Sequence, residues 1–68
     1  MYFICEIQVN SEGQGAHLMT VETSLDRAES KYYTILAAAA VSGLPVHGAI
    51  VFDEKMNVLM LHSYDRRE

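Results

Sequence analysis

The chain has 68 residues, of which 50% are apolar and 21% charged, so its composition is that of one folded domain and excludes a disordered segment. Its only cysteine, Cys5, excludes an internal disulfide, and a domain this small is marginally stable unless a disulfide, a metal or a partner subunit supports it. The net charge of −4 argues against a nucleic-acid binder. We recognise neither a membrane span nor a signal peptide in the sequence. We therefore expect a cytosolic homo-oligomer that binds no nucleic acid and no membrane.

The first third of the chain predicts a β-hairpin. Residues 2–9 alternate with a period of two, and the odd-numbered side, which holds Phe3, Cys5, Ile7 and Val9, is the predicted core face. Residues 10–15 contain turn formers and two glycines, and residues 16–23 then resume an extended pattern. We therefore predict strands over about 2–9 and 16–23.

The middle of the chain predicts one helix over about residues 24–42. Ser24 and Asp26 suit the first turn, whereas Gly43 suits the left-handed position after the last turn and Pro45 cannot continue a helix. At 100° per residue one stripe is apolar and should lie on the sheet, and it consists of Leu25, Ala28, Tyr32, Ile35, Leu36 and Ala39.

The last third predicts a second hairpin, with strands over about 46–53 and 58–64. Asn57 is the expected left-handed residue of the loop between them. The order ββαββ predicts an α+β fold, a single domain spanning 1–68 in which a four-stranded antiparallel sheet carries one helix on one face. The charged tail 65–68 should be frayed unless a partner holds it.

More apolar surface is present than one sheet and one helix can bury. Both faces of the last two strands are apolar, and the outer face of the helix becomes smooth and apolar in its last two turns. We predict a homo-oligomer interface formed by the helix, the second sheet face or both, through Thr34, Ala37, Ala38, Val41, Ile50 and Phe52. Alternatively, residues 37–40 supply helix propensity alone, since alanine is the best helix former.

Signals for catalysis and for metal binding are weak. His17, His47 and His62 fall on three predicted strands and could converge, but their spacing is not that of a metal site. Ser42 or Cys5 could pair with a histidine, yet neither lies in a nucleophile motif. We therefore predict no catalytic residues, no metal and no cofactor, and a protein that is not an enzyme.

A polar and aromatic cluster is the better candidate for a site. Aromatic rings stack on nucleobases, and Lys, Arg and His meet phosphate or ribose groups, so the cluster suits a small anionic nucleotide ligand bound between subunits. The predicted ligand-binding residues are Lys31, Tyr32, Tyr33, His47, His62, Tyr64, Arg66 and Arg67. In the alternative interpretation Tyr32 belongs to the core and the charged residues are solvated.

The sequence from Ala28 to Ser42, followed by Pro45, His47 and the Asp53-Glu54 turn, resembles short uncharacterised proteins encoded by phages and prophages of gut bacteria. Small phage proteins include homo-oligomeric sponges that sequester nucleotide immune signals, such as cyclic ADP-ribose isomers. The resemblance thus implies a phage-encoded anti-defence protein of this class, acting in the host bacterial cytosol. Two other functions remain open, a protein-directed inhibitor of a host defence nuclease and a structural or assembly accessory of the phage particle.

Overall fold

The chain folds as two β-hairpins joined by one helix. The computed structural model describes residues 1–67, which form β1 (Tyr2–Val9), β2 (Gly15–Glu22), α1 (Leu25–Val41), β3 (Val46–Asp53) and β4 (Val58–Asp65). The strands make one antiparallel sheet in the order β2-β1-β3-β4, with α1 packed on one face. The α+β, ββαββ fold is therefore confirmed, and each predicted boundary lies within one residue of the observed one.

Both ends of α1 are fixed by the residues that the sequence indicates. At the start, the Oγ of Ser24 accepts a hydrogen bond from the backbone N–H of Arg27 at 3.4 Å, which satisfies one of the unpaired amides of the first turn. At the other end Ser42 is the C-cap residue, and Gly43 takes the left-handed conformation with φ of +73°. The chain can then turn back toward β3.

The core lies between α1 and the two central strands. Ile4 of β1 and Val51 of β3 are opposite each other in the register and fully buried, and the helix covers them with Ala28, Tyr32 and Ile35. This confirms most of the predicted helix stripe, because Ala39 is also buried and Leu36 packs at the edge of the cluster. Leu25, at the start of the helix, is 40% exposed, so it lies outside the core.

The core face of β1 is the reverse of the predicted one. Ile4 points toward α1, so the even-numbered side of the strand faces the helix, and Cys5 lies half-buried on the opposite, uncovered side. The prediction was wrong because the odd-numbered side is the more apolar of the two. Polar Glu6 and Gln8 occupy the helix side because they have polar partners there.

Asp53 organises the turn between β3 and β4. Its Oδ1 accepts the backbone N–H groups of Lys55 and Asn57 at 2.9 and 3.0 Å. The residue with a left-handed φ of +68° is Met56, whereas the sequence predicts Asn57 for that position. Asn57 instead uses its side-chain amide to donate to Asp53 Oδ2.

β3 and β4 approach each other very closely at Gly48. A Cβ atom on Gly48 would lie 2.5 Å from the carbonyl oxygen of His62 and from the Cβ of Ser63, so only glycine fits there. Further along β4, Leu59 is the extra residue of a bulge, because Met60 pairs with Val51 and Val58 pairs with Phe52.

The 17-residue helix α1 is too short and too polar to cross a membrane, and residues 1–67 contain no other helix.

Candidate functional site

Two pairs of aromatic rings, one on α1 and one facing the helix from β4, are here called the ring strip (Tyr32, Tyr33, His62 and Tyr64). The rings of Tyr32 and Tyr33 meet edge to face with centroids 5.2 Å apart, and those of His62 and Tyr64 meet in the same way at 4.9 Å. Two of the rings come from α1 and two from β4. The two pairs, all of them predicted ligand-binding residues, are linked through Tyr32 and Tyr64, whose phenols lie near enough to interact electrostatically.

The spacing of the residues explains the ring strip. His62 and Tyr64 are two apart on β4, opposite Ala49 and His47 of β3, so both point to the helix side of the sheet. Tyr32 belongs to the buried stripe of α1, and Tyr33 follows it by 100° around the helix. The exposed fraction of the residue consequently rises from 5% at Tyr32 to 57% at Tyr33.

Burial fixes the charge state of Tyr32. Removal from water raises the pKa of the Tyr32 phenol, and the neighbouring phenols of Tyr33 and Tyr64 raise it further because like charges repel. Tyr32 thus stays neutral, and its buried ring contacts the exposed ring of Tyr33 edge to face.

Arg66 is anchored at the end of the ring strip. Its Nη1 donates to the carbonyl of Leu44 at 2.9 Å, and its Nη2 donates to those of Ala39 and Ala40 at 2.9 and 3.1 Å. Ala39 and Ala40 belong to the last turn of α1 and Leu44 to the loop after it, and a positive charge at this end of the helix also stabilises the helix dipole. The guanidinium carbon lies 5.3 Å from the centre of the Tyr64 ring, close enough for a cation–π contact.

The other two cationic residues predicted to bind the ligand, Arg67 and Lys31, have different surroundings. Arg67 forms a two-pronged ion pair with Asp65 on the surface, and this pair lowers the pKa of Asp65 to about 2. Lys31 precedes Tyr32 and therefore lies on the flank of α1 opposite Tyr33, where its charge is a minor cause of the lowered pKa of Glu6. The structure therefore divides the predicted ligand-binding residues between the two flanks of the helix.

A second polar cluster lies under the C-terminal end of α1. His47 is buried, and its Nε2 lies 2.6 Å from Oε2 of Glu6 while its Nδ1 lies 2.8 Å from Oγ of Ser42. Gln8, the neighbour of His47 across the strands, donates to the same Glu6 oxygen at 3.0 Å. The hydrogen bond from His47 is the main cause of the lowered pKa of Glu6, and burial opposes it.

The Ser42-His47-Glu6 order resembles the relay of a serine hydrolase, but the surroundings of Ser42 favour a structural role. The Ser42 hydroxyl lies within donating distance of the Ala39 carbonyl at 3.3 Å, and its oxygen accepts the N–H of Leu44 at 3.4 Å. It also lies at the negative end of the helix dipole, which disfavours an alkoxide or an oxyanion. The cluster therefore joins the helix end to β1 and β3.

The three histidines do not converge. His17 pairs with Ile7 and lies on the uncovered face of the sheet, whereas His47 and His62 point to the helix side. Within residues 1–67 no group of three or more His, Cys, Asp and Glu side chains is arranged to hold a metal ion.

The predicted interface residues lie on opposite sides of the molecule. Thr34, Ala37, Ala38 and Val41 are exposed on the outer face of α1, and Val41 is 84% exposed. Ile50 and Phe52 lie half-buried on the uncovered sheet face. A single flat contact cannot include both sets.

Sequence reasoning missed two features of the site. It left Glu6 out of the site, although two polar residues on one side of β1, Glu6 and Gln8, indicate polar partners there. It included Arg66 among the ligand-binding residues but expected it in a tail that is frayed unless a partner holds it, whereas Arg66 is held by the carbonyls of residues 39, 40 and 44. The chain matches no known protein family, no curated protein and no solved structure at a significant level.

Proposed function

We propose that this protein is a homo-oligomeric binding protein that sequesters a small anionic ligand derived from a nucleotide, and that the ring strip is its binding surface. The observation that carries the proposal is the position of Arg66, a cation fixed by three carbonyls beside the ring of Tyr64. A fixed charge next to an aromatic ring offers a phosphate contact beside a stacking surface.

Tyr33 is the proposed stacking ring for the base. It is 57% exposed, and its edge contact with the buried Tyr32 holds it in place. Stacking on an aromatic side chain accepts any base, because every base has a flat π face. A ring held in place before binding also loses less conformational freedom when the ligand arrives.

Arg66 is the proposed phosphate contact. Of the five N–H donors of a guanidinium, three are used by the carbonyls of Ala39, Ala40 and Leu44, and within residues 1–67 the other two donate to no protein acceptor. Exposed His62 lies at the same end of the ring strip, next to Tyr64, and can donate to a ribose or phosphate oxygen. The site thus supplies positive charge in a protein whose net charge is −4.

The resemblance to short phage proteins suggests the ligand. A phage protein of this kind gains from removing a nucleotide immune signal of its host, and cyclic ADP-ribose isomers combine an adenine base, riboses and two phosphates. We propose sequestration and not turnover, because Ser42, the hydroxyl group next to His47, lies at the negative end of the helix dipole, which disfavours an alkoxide. The protein would then act as a phage-encoded anti-defence sponge in the host cytosol.

Isothermal titration with cyclic ADP-ribose isomers and linear ADP-ribose tests the proposal. We expect binding by the wild-type protein, and a Tyr33→Ala variant that binds about 5- to 150-fold more weakly, the loss that removal of one stacking ring produces. Val41→Ala is the matched control, because Val41 is exposed on the outer face of the same helix. It should bind as the wild type does.

Recovery of the ligand separates a sponge from an enzyme. After the complex is heat-denatured, mass spectrometry should return the added molecule unchanged and in the amount that was bound. A degraded ligand would refute sequestration. Absence of binding by all the isomers, or equal binding by wild type and Tyr33→Ala, would refute the ring strip as a nucleotide site.

A further inference from the structure

The sheet face that α1 does not cover is mostly apolar and is here called the open face; its polar residues are His17, Ser63 and Asp65. β1 contributes its odd-numbered residues, and Phe3 stacks on Phe52 of β3 with ring centroids 5.3 Å apart. Several large side chains stand out from it: Ile7, Met19, Val21, Val58 and Leu61 are between 42% and 66% exposed. The open face therefore has the composition of a core while it lies at the surface.

Charge is almost absent from the open face. Within the described strands its one ionised residue is Asp65, which lies at a corner opposite Val46 and pairs with Arg67. The polar residues Glu6 and Gln8 of β1 point to the helix side instead. The more apolar side of β1 thus faces away from its own core, which is unexpected unless another surface covers it.

The open face carries both a depression and a projection. The depression has a volume of about 240 Å³ and lies at Gly48, lined also by Ile7, Val46, Ile50, Leu61 and Ser63. Leu61 borders this depression and is 66% exposed, the most protruding apolar side chain of the face. When two identical faces meet about a two-fold axis, a projection on each copy can enter the depression of the other.

The area of the open face suits a modest dimer. Four strands of eight residues cover about 26 Å by 19 Å, or about 500 Å² for each copy, and specific interfaces begin near 1,000 Å² in total. A domain of 68 residues also needs support beyond its own core, and its one cysteine allows no internal disulfide. A second copy supplies that support by completing a two-layered apolar core.

We infer that the open face is the interface between two copies of this chain, with Leu61 of each copy inserted above Gly48 of the other. The inference names the surface through which the proposed homo-oligomer forms. Assembly is measured without ligand, so its failure and the failure of nucleotide binding are distinguishable. The outer face of α1 is the competing surface, and its largest apolar side chain is Val41.

Two matched variants decide between the surfaces. Sedimentation velocity from about 1 to about 300 μM covers a wide range of concentration, because the area of an interface does not by itself set its affinity. Wild type should shift from monomer toward dimer across this range. Leu61→Asp should remain a monomer throughout, because a carboxylate would be buried without a partner, whereas Val41→Asp should dimerise as the wild type does.

Cys5 gives an independent measure, because it is half-buried on the open face and is the only thiol. Its rate of alkylation by iodoacetamide should fall as the concentration of wild-type protein rises. In Leu61→Asp the rate should be independent of concentration. Circular dichroism checks that this variant is folded, and Met19→Lys, at an open-face residue that is 45% exposed, replaces it if it is not.

Three results would overturn the inference. They are a wild-type protein that stays monomeric over the whole range, a dimer that survives both Leu61→Asp and Met19→Lys, and a dimer that Val41→Asp alone dissociates. The first result would indicate that a different protein covers the open face, and the last result would assign the dimer contact to the outer face of α1.

Discussion

The imidazole of His47 and the carboxylate of Glu6 form the least exposed ionisable pair in the described part of the chain, with Nε2 and Oε2 2.6 Å apart and side chains 5% and 19% exposed. His47 lies on β3 and Glu6 on β1, so the pair joins the two central strands under the end of α1. Each polar group in the cluster has a partner, which removes most of the cost of burying it.

This pair makes the free energy of unfolding depend on pH in acid. The folded state lowers the pKa of Glu6 below its ordinary value of 4.5, so between the two values the unfolded chain binds more protons than the folded one. Stability is therefore fully present above about pH 4.5 and falls as the pH drops toward the folded value. Urea denaturation from pH 7 to pH 3 should show this decrease.

Glu6→Gln is the variant that isolates the pair. It should be less stable than wild type at pH 7 and should lose less stability on acidification, so the two curves converge. Asp53 and Asp65 also have lowered pKa values, through hydrogen bonds from Asn57 and from Arg67, so some acid sensitivity should remain. Parallel curves for wild type and Glu6→Gln would contradict the role given to this carboxylate.

Gly48 should tolerate no side chain. In Gly48→Ala the new methyl group would lie 2.5 Å from backbone and side-chain atoms of β4, and separation of the strands should cost about 2–3 kcal/mol of unfolding free energy. Gly15→Ala is the control, because its nearest neighbour would be 4.0 Å away, and it should be neutral or stabilising by about 0.5 kcal/mol. Equal effects in urea denaturation would argue against the close approach.

Arg66 and Arg67 are adjacent but should contribute differently to stability. Arg66→Gln removes three charge-assisted hydrogen bonds to the end of α1 and should cost about 1–3 kcal/mol. Arg67→Gln breaks an ion pair with Asp65 in which both side chains are largely exposed to solvent, and should change stability much less than Arg66→Gln does. Thermal denaturation followed by circular dichroism compares them, and a larger loss in Arg67→Gln would contradict the assignment.

Replacement of Met56 by glycine should increase the stability of the protein. Its φ of +68° is unfavourable for a residue with a Cβ atom, and its side chain is 73% exposed, so little packing would be lost. Met56→Gly should raise the unfolding free energy by about 0.5–1 kcal/mol, after the greater freedom of glycine in the unfolded chain is subtracted. Met56→Ala keeps the strained conformation and should change stability little in the same denaturation experiment.

The elements of the fold could be predicted because each depends on local physical chemistry. The alternation of residues 2–9 follows from the pleat of a strand, and Ser24 and Gly43 mark the helix because each satisfies a local requirement of the backbone. The side of β1 that packs on the helix is a tertiary property. Hydrophobicity indicates the wrong side, because it cannot tell the core within one copy from a surface made for another molecule.

The site was only partly accessible from the sequence for a similar reason. His62 and Tyr64 could be grouped because alternate residues of a strand share a side. The contact of Arg66 with Ala39 and Ala40 joins residues 27 and 26 positions apart, and it depends on where β4 ends relative to the helix. No local pattern carries that information.

The sheet order β2-β1-β3-β4 has a consequence for the route by which the chain folds. Each hairpin can form by itself, but the central pair joins the two hairpins and brings Tyr2 opposite Asp53. Hairpins close within about 1–10 μs, whereas docking across such a separation must first overcome the entropy of closing a long loop. During synthesis the first hairpin must therefore wait, with the apolar side chains of β1 exposed, until the second hairpin has emerged from the ribosome.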